Sequence, residues 1–288
     1  MKLTLGFSPC PNDTFIFDAL IHHKIDTEGL DFDVEYHDVE KLNQQAFNKR
    51  LDVTKLSYHA FAYAIDDYEL LDAGSALGFG VGPLLISKNE DLANKLAVYS
   101  GQELPEEYKN LKIGIPGKYT TANFLLAIAF PALQNKEILV FSDIESALLN
   151  DEIDLGLIIH ENRFTYQNKG LHKIVDLGDF WEKTTESPIP LGGIVIRRDL
   201  PEKLKMKVNR LIRKSVEFAF ENPQSGLAYI RSHAQAMEDS VLFKHIDLYV
   251  NQYSIDLGLK GKEAVKNLFE KASQQNLIPS SRKAIFLT

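Results

Sequence analysis

This sequence contains little cysteine, and its positively charged residues are fewer than its negatively charged ones. A single cysteine, Cys10, stands among 288 residues, so no intrachain disulfide can form. The 32 lysines and arginines are outnumbered by 40 aspartates and glutamates, and the formal net charge is −8. Binding along a nucleic-acid backbone needs a basic face, so this balance argues against nucleic acid as a partner. A small anionic ligand stays compatible with it, because a few local hydrogen-bond donors can outweigh the net charge.

Long apolar runs are lacking as well. The longest candidate, residues 124–133, contains Pro131 and falls well short of the roughly 20 apolar residues that span a bilayer. The apolar stretch at 3–7 is shorter than the roughly 7–15 residues of a signal-peptide core, and it runs into Ser8 and Pro9. We therefore expect a cytoplasmic protein without a membrane partner, and the single cysteine agrees with a reducing compartment.

What is present is the composition of an ordinary globular protein. Hydrophobic residues make up 44% and charged residues 25% of the chain, and at about 150 residues per domain the length favours about two domains. Hydrophobic periodicity predicts strands that alternate with helices. The strands are expected at 3–7, 31–39, 53–56, 83–87, 111–115, 137–141 and 154–159, and the helices at 12–23, 39–50, 57–68 and 120–130. From Pro201 onward the pattern is helical, so the sequence predicts an α/β class with a helical C-terminal part.

Two strand starts look alike. The segments LTLGF at 3–7 and LKIGI at 111–115 each lead through a proline-containing turn into a helix, the first of which Asn12 or Asp13 can cap. Any buried strand before a tight turn has this form. The pattern therefore leaves two explanations open: a local coincidence, or two similar lobes that each offer a helix N-terminus to a shared cleft.

The segment PGKYTTANF at 116–124 can form an anion site. Free backbone amides, the positive end of the helix dipole and the hydroxyls of Thr120 and Thr121 meet at this helix start. Plain helix capping by Thr120 explains the same pattern equally well. The glycine frame of a P-loop is missing, which argues against a nucleotide phosphate.

A second helix start, TKLSYHAF at 54–61, carries a cation and a hydroxyl. Lys55 and Ser57 flank the end of a short strand, and ligands of open α/β sheets bind beyond the carboxyl ends of strands. A capped surface helix, with Ser57 as the cap, is the alternative explanation.

His160 directly follows the apolar strand DLGLII, with Glu161 and Arg163 close by in sequence. A histidine at a strand end suits general-base catalysis near neutral pH, although a structural histidine is the simpler alternative. Neither an HExxH motif nor paired CxxC motifs are present, so the sequence predicts no metal site. The glycines of GFGVG at 78–82 lack the spacing of a dinucleotide fingerprint.

Five long segments together resemble the 1,4-dihydroxy-6-naphthoate synthase family of the futalosine route to menaquinone. They are SPCPNDTFIFDAL at 8–20, TKLSYHAFA at 54–62, GSALGFGVGPLL at 74–85, PGKYTTANFLL at 116–126 and GLIIHENRFTY at 156–166. The resemblance runs along nearly the whole chain and implies a two-lobe, periplasmic-binding-protein-like type II fold with a central cleft. In that fold residues 1–110 and 194–288 would form the larger lobe, and residues 111–193 the smaller lobe.

The resemblance also implies an activity. The family cleaves a carbon–carbon bond to convert cyclic dehypoxanthine futalosine to 1,4-dihydroxy-6-naphthoate, as a lyase without a known cofactor and with a small aromatic carboxylate as substrate. By motif, His160 of LIIHE is similar to the family's proton acceptor. The positions that match its two substrate-binding stretches are Lys55, Leu56, Ser57, Thr120 and Thr121.

Two other functions stay open. The same fold serves chorismate dehydratase of the same pathway and non-catalytic solute-binding proteins. The LIIHENRF and PGKYTTANF motifs favour the synthase over the dehydratase. The histidine at a strand end and the expected lack of a signal segment argue against a solute-binding protein. The resemblance also allows a homodimer.

Overall fold

A computed structural model describes residues 1–234 and 238–287. The chain divides into two compact units. The first unit consists of Met1–Gly78 together with the chain from Pro190 onward, and the second unit is Phe79–Ile189. The chain therefore leaves the first unit once and returns to it once.

Strands and helices largely alternate through both units, and the described residues after the last strand are mainly helical. The strands are β1 (Lys2–Phe7), β2 (Asp31–Tyr36), β3 (Val53–Ser57), β4 (Tyr68–Leu70), β5 (Ala76–Gly78), β6 (Leu84–Ser87), β7 (Ile113–Ile115), β8 (Lys136–Ile138), β9 (Leu155–Ile158), β10 (His172–Asp176) and β11 (Ile189–Arg197). The helices are α1 (Pro11–Ile21), α2 (Val39–Phe47), α3 (Tyr58–Ala64), α4 (Glu90–Ala97), α5 (Thr121–Ala129), α6 (Ile144–Leu149), α7 (Leu177–Thr185), α8 (Glu202–Glu221), α9 (Leu227–His233), α10 (Asp239–Tyr249), α11 (Gln252–Ile255) and α12 (Gly258–Gln274). The described part of the chain contains no helix that is long and apolar enough to cross a membrane.

The sheet of the first unit has the strand order β2-β1-β3-β11-β4, and β5 also pairs with β11. Strand β1 runs parallel to β2 and β3, whereas β11 runs antiparallel to β3 and β4. Because β1, β2 and β3 are parallel, their carboxyl ends meet at one edge of the sheet. These ends are Phe7, Tyr36 and Ser57.

Helix α1 lies inside the first unit. Residues 11–20 are all buried, the polar Asn12, Asp13, Thr14 and Asp18 among them, so these polar side chains need partners inside the protein. The helix packs against α8, α9 and α10, and Phe17 and Leu20 share one core cluster with Leu211 and Ile212. The helical C-terminal part therefore covers the first element of the chain.

The sheet of the second unit has the order β10-β6-β9-β7-β8. Strand β7 runs parallel to β8 and β9, and β6 runs antiparallel to β9 and β10. Gly156 of β9 lets α6 pack closely on this sheet, since a Cβ there would lie 2.7 Å from Ile144 Cγ2 and from Leu148 Cδ1. A tight core thus supports the strand that precedes His160.

The start of the second unit differs from the boundary expected from the sequence. We expected the smaller lobe to begin at residue 111, but the second unit begins at Phe79. The reason is strand pairing: β6 forms ladders with β9 and β10, so it belongs to their sheet. The return at Pro190 lies close to the expected residue 194.

Several predicted elements end earlier than expected, and two of these bear on the site. The helix predicted at 57–68 stops at Ala64, and Tyr68 begins β4, because that segment pairs with β11. The strand predicted at 137–141 stops at Ile138, and Phe141 begins a 3₁₀ turn. In the first place a tertiary contact overrides the local pattern, and in the second a turn closed by the amide of Asp143 on the carbonyl oxygen of Val140 follows the strand.

Candidate active site

Lys55 is held inside the first unit by an ion pair. It lies in β3 with its side chain 8% exposed, and its Nζ is 2.9 Å from Oδ1 of Asp13, whose side chain is 2% exposed. The same ammonium donates to the carbonyl oxygen of Gly74 at 3.3 Å. A buried charge is costly unless it is paired and hydrogen-bonded. Asp13 is therefore what allows a lysine on this buried strand.

The carboxylate of Asp13 accepts several hydrogen bonds at the carboxyl edge of the first sheet. Its Oδ2 accepts from the backbone amide and the hydroxyl of Ser8, at 3.2 and 2.8 Å, and its Oδ1 accepts from Asn12 Nδ2 at 2.9 Å. Helix α1 begins after Cys10 without a side-chain cap, so the predicted capping by Asn12 or Asp13 is not observed. The Asp13 carboxylate instead fixes Lys55 and the turn that follows β1.

The helical C-terminal part reaches the same edge. His245 of α10 is fully buried, and its Nε2 donates to Oδ1 of Asn12 at 2.9 Å. Asn12 in turn donates to Asp13. A polar chain therefore runs from α10 through the start of α1 to Lys55 in β3.

Ser57 and Leu56 complete the predicted stretch on β3. The backbone amide of Ser57 donates to Asn43 Oδ1 at 3.1 Å, and Asn43 Nδ2 lies 3.4 Å from the Ser57 hydroxyl. Ser57 is the N-cap residue of α3 by position, but its hydroxyl makes no capping bond. The side chain of Leu56 is fully buried, so only its backbone could meet a ligand.

Thr120 caps α5 in the second unit. Its hydroxyl accepts from the backbone amide of Asn123 at 3.2 Å and donates to the carbonyl oxygen of Gly117 at 2.9 Å. These bonds give the hydroxyl the capping role that the sequence analysis weighed against an anion site. Thr121, the first residue of α5, is 3% exposed.

His160 stands directly beyond the carboxyl end of β9, as the sequence predicted. Ile159 is extended, and His160 then adopts a left-handed backbone conformation with φ of 58°. This conformation is uncommon for a residue other than glycine, and it turns the chain sharply into a 3₁₀ helix over His160–Phe164. The imidazole is half-buried, and its centroid lies 5.0 Å from that of the Phe141 ring.

Arg163 anchors the segment that carries His160. Its guanidinium donates to the carbonyl oxygen of Gly82 and, at 3.0 Å, to Oδ2 of Asp176. Asp176 also caps α7 by accepting from the amides of Gly178 and Asp179. Burial raises the pKa of the Asp176 carboxyl, and the positive charge of Arg163 opposes that shift. The turn after β9 is thus tied to two other segments of the second unit.

The structure brings some of the predicted site residues together within each unit. Strands β7 and β9 are parallel neighbours, so His160 and the start of α5 lie at the same edge of the second sheet. Lys55, Leu56 and Ser57 lie at the end of β3 in the first unit. Among residues 1–234 and 238–287, no group of three or more His, Cys, Asp or Glu side chains is arranged to hold a metal ion.

Comparison with known proteins settles the family. A family model described as menaquinone biosynthesis matches residues 3–274. The chain belongs to this menaquinone biosynthesis family. The chain is 41% identical over 285 residues to a 1,4-dihydroxy-6-naphthoate synthase of Thermus thermophilus, with 99% of each chain covered. It is also 37% identical to a protein of the same name from Streptomyces coelicolor, with 96% of this chain and 95% of that one covered.

Solved structures show the fold of this menaquinone biosynthesis protein. Protein AF1704 of Archaeoglobus fulgidus is 34% identical, with a TM-score of 0.84 over 96% of this chain and 98% of that one. A ligand-binding component of an ABC-type import system from Staphylococcus aureus has a TM-score of 0.70 at 13% identity, covering 100% and 96% of the two chains. The periplasmic aliphatic sulphonate binding protein of Escherichia coli has a TM-score of 0.64 at 10% identity, covering 97% and 89%. The predicted periplasmic-binding-protein-like α/β fold is confirmed.

No motif in the sequence of this family member marks the residues that support the site. Asp13 and Asn43 make their contacts with β3 across long stretches of chain, so no local pattern marks them. The sequence predicts a strand through Phe141, whereas this residue begins a 3₁₀ turn. A usable signal existed for Asp13, since an acidic residue in the first turn of a buried apolar helix needs a partner.

Proposed function

We propose that this chain is a 1,4-dihydroxy-6-naphthoate synthase, which converts cyclic dehypoxanthine futalosine to 1,4-dihydroxy-6-naphthoate in menaquinone biosynthesis. The observation that carries the proposal is the 41% identity to the Thermus thermophilus protein of that name over 99% of both chains. Identity over full length favours the same reaction more strongly than fold likeness does, because one fold hosts many functions.

In this proposal His160 is the catalytic base. Its place beyond the carboxyl end of β9 puts an imidazole where ligands of α/β sheets bind, and an imidazole accepts a proton readily near neutral pH. Removal of a substrate proton would start the electron flow that breaks the carbon–carbon bond. Formation of the aromatic naphthoate would drive the reaction forward.

The remaining predicted residues bind the substrate, an aromatic carboxylate rich in hydroxyl groups. In the first unit the binding groups are Lys55, the Leu56 backbone and Ser57, and in the second unit they are Thr120 and Thr121. Support comes from the fixed position of the Lys55 ammonium beside Asp13 and from the helix start at Thr121, where backbone amides favour anions. The predicted cytoplasmic location and homodimer stay predictions, to be checked by cell fractionation and by light scattering.

The test is identification of the product. We expect the purified protein to convert cyclic dehypoxanthine futalosine to 1,4-dihydroxy-6-naphthoate, observed by mass spectrometry. The His160→Asn variant is expected to bind the substrate in calorimetry but to form no product, because its amide cannot accept the proton.

The same assay separates the alternatives. Conversion of chorismate to 3-enolpyruvyl benzoate would make the protein a chorismate dehydratase and contradict the proposal. Tight binding without turnover by the unmodified chain would make it a solute-binding protein. Normal turnover by His160→Asn would remove His160 from the role of base.

A further inference from the structure

The ring of Phe141 touches the ring of His160 within the second unit. Their centroids are 5.0 Å apart, and the ring planes meet at 67°. This is the edge-to-face arrangement in which the positive edge of one ring meets the negative face of another. Both side chains are half-buried, so the contact lies at the surface of the sheet edge rather than in the core.

Strand topology explains why two residues so far apart in sequence meet. Strands β8 and β9 both run parallel to β7, one on each side. Beyond β8, Leu139 still donates to the carbonyl oxygen of Ile115 at 3.0 Å, and a turn closed by the amide of Asp143 on the carbonyl oxygen of Val140 then presents Phe141. The aromatic ring therefore reaches across the end of β7 to His160.

The backbone of His160 is fixed by other means. Its left-handed conformation and the bonds of Arg163 to Gly82 and Asp176 hold the turn after β9. A fixed backbone does not by itself set the rotamer of a side chain. A rigid neighbour that contacts the imidazole restricts the rotamers it can adopt, and Phe141 is such a neighbour.

We propose that Phe141 is a positioning residue that orients the His160 imidazole for proton abstraction, an inference that rests on the proposed function. A phenyl ring suits this task because it has no proton to exchange with the imidazole and no polar group to compete for it. It limits where the imidazole can turn without itself hydrogen-bonding to the ring nitrogens.

Steady-state kinetics on Phe141→Ala, Phe141→Tyr and Ile138→Ala test the proposal. A misplaced catalytic group can cost about 100-fold in rate, so we expect Phe141→Ala to lower kcat by about 10- to 100-fold and to change KM by less than about threefold. Phe141→Tyr keeps the ring edge and should retain most of kcat. Ile138→Ala is the matched control, because Ile138 is an apolar side chain of β8 that is 57% exposed and is absent from the ring contact.

A measurement without substrate tests the contact separately. The imidazole proton signals of His160, assigned by their loss in His160→Asn, should shift in Phe141→Ala through the lost ring current and stay near their place in Ile138→Ala. Unshifted signals, or an unchanged kcat in an otherwise active protein, would overturn the inference alone. A raised KM at constant kcat would also overturn it, since Phe141 would then be a binding surface. Lack of any turnover by the unmodified chain would instead defeat the proposed function.

Discussion

At the scale of single residues, burial conflicts with charge at Lys55 and Asp13. Both side chains are nearly inaccessible, and each neutralises the other. The desolvation cost of such a pair is met only while both partners and their hydrogen bonds are present. The arrangement therefore favours a defined position for Lys55 more than it favours stability.

Removing one member of the Lys55–Asp13 pair should make its desolvation cost measurable as a loss of stability. We expect Asp13→Asn to lower the free energy of unfolding by about 3–5 kcal/mol, because it leaves the Lys55 ammonium buried without a counter-charge. Urea denaturation followed by circular dichroism measures the loss, and the double variant Asp13→Asn/Lys55→Met should recover part of it. The matched control is Asp91→Asn, which breaks the exposed pair with Lys95 and should leave stability unchanged. An equally stable Asp13→Asn protein would show that the pair is not buried in solution.

At the scale of elements, the start of α5 combines a structural and a predicted binding role in adjacent residues. The hydroxyl of Thr120 is engaged with Asn123 and Gly117. Thr121 begins the helix itself. The structure thus gives the capping role to Thr120, as the sequence allowed, and leaves Thr121 as the first residue of the helix.

Substitution of Thr120 and Thr121 should separate helix capping from substrate binding. We expect Thr120→Ala to lower the free energy of unfolding by about 0.5–2 kcal/mol through loss of the cap, and Thr120→Ser to restore it. We expect Thr121→Ala to raise KM with little change in kcat, since a binding group acts on ground state and transition state alike. Urea denaturation and steady-state kinetics provide the two readings. A stability loss confined to Thr121→Ala would contradict the assignment.

At the scale of the whole molecule, the second unit is one continuous segment with its own sheet. Its core cluster includes Leu84, Ile86, Ile144 and Ile158. Two of these residues belong to β6, which precedes the boundary expected from the sequence. The pairing of β6 with β9 and β10 therefore places the start of this unit before residue 111, the boundary that the family resemblance implied.

Expression of fragments should show which of the two boundaries encloses a segment that folds on its own. We expect residues 79–189 alone to unfold cooperatively on heating, because all the strands of the second sheet are then present. Residues 111–193 should lack a cooperative transition, since they leave β9 and β10 without β6. Circular dichroism and calorimetry decide between the two. Cooperative unfolding of the shorter fragment would favour the boundary at 111.

Local signals in the sequence are sufficient to predict the order of strands and helices and the positions of several site residues. Alternating strands and helices follow from hydrophobic spacing, and a histidine that directly follows an apolar strand must stand at its carboxyl end. The position of Thr120 at a helix start follows in the same way, because capping depends on residues one turn apart. Helix α3 is shorter than predicted because the segment after it pairs with β11, a partner far away in sequence. Strand β8 is shorter than predicted because a turn closed between Val140 and Asp143 follows it.

The sequence by itself determined the α/β order and which residues stand at strand ends and helix starts, because these depend on neighbours a few positions away. Tertiary structure alone decided that Lys55 meets Asp13 across 42 positions and that His245 meets Asn12 across 233. It also decided that Phe141 touches His160 and that β6 joins the second sheet. The physical reason is that contacts of this kind depend on which strands pair and which helices cover them. That choice is made by the burial of the whole core rather than by any single segment.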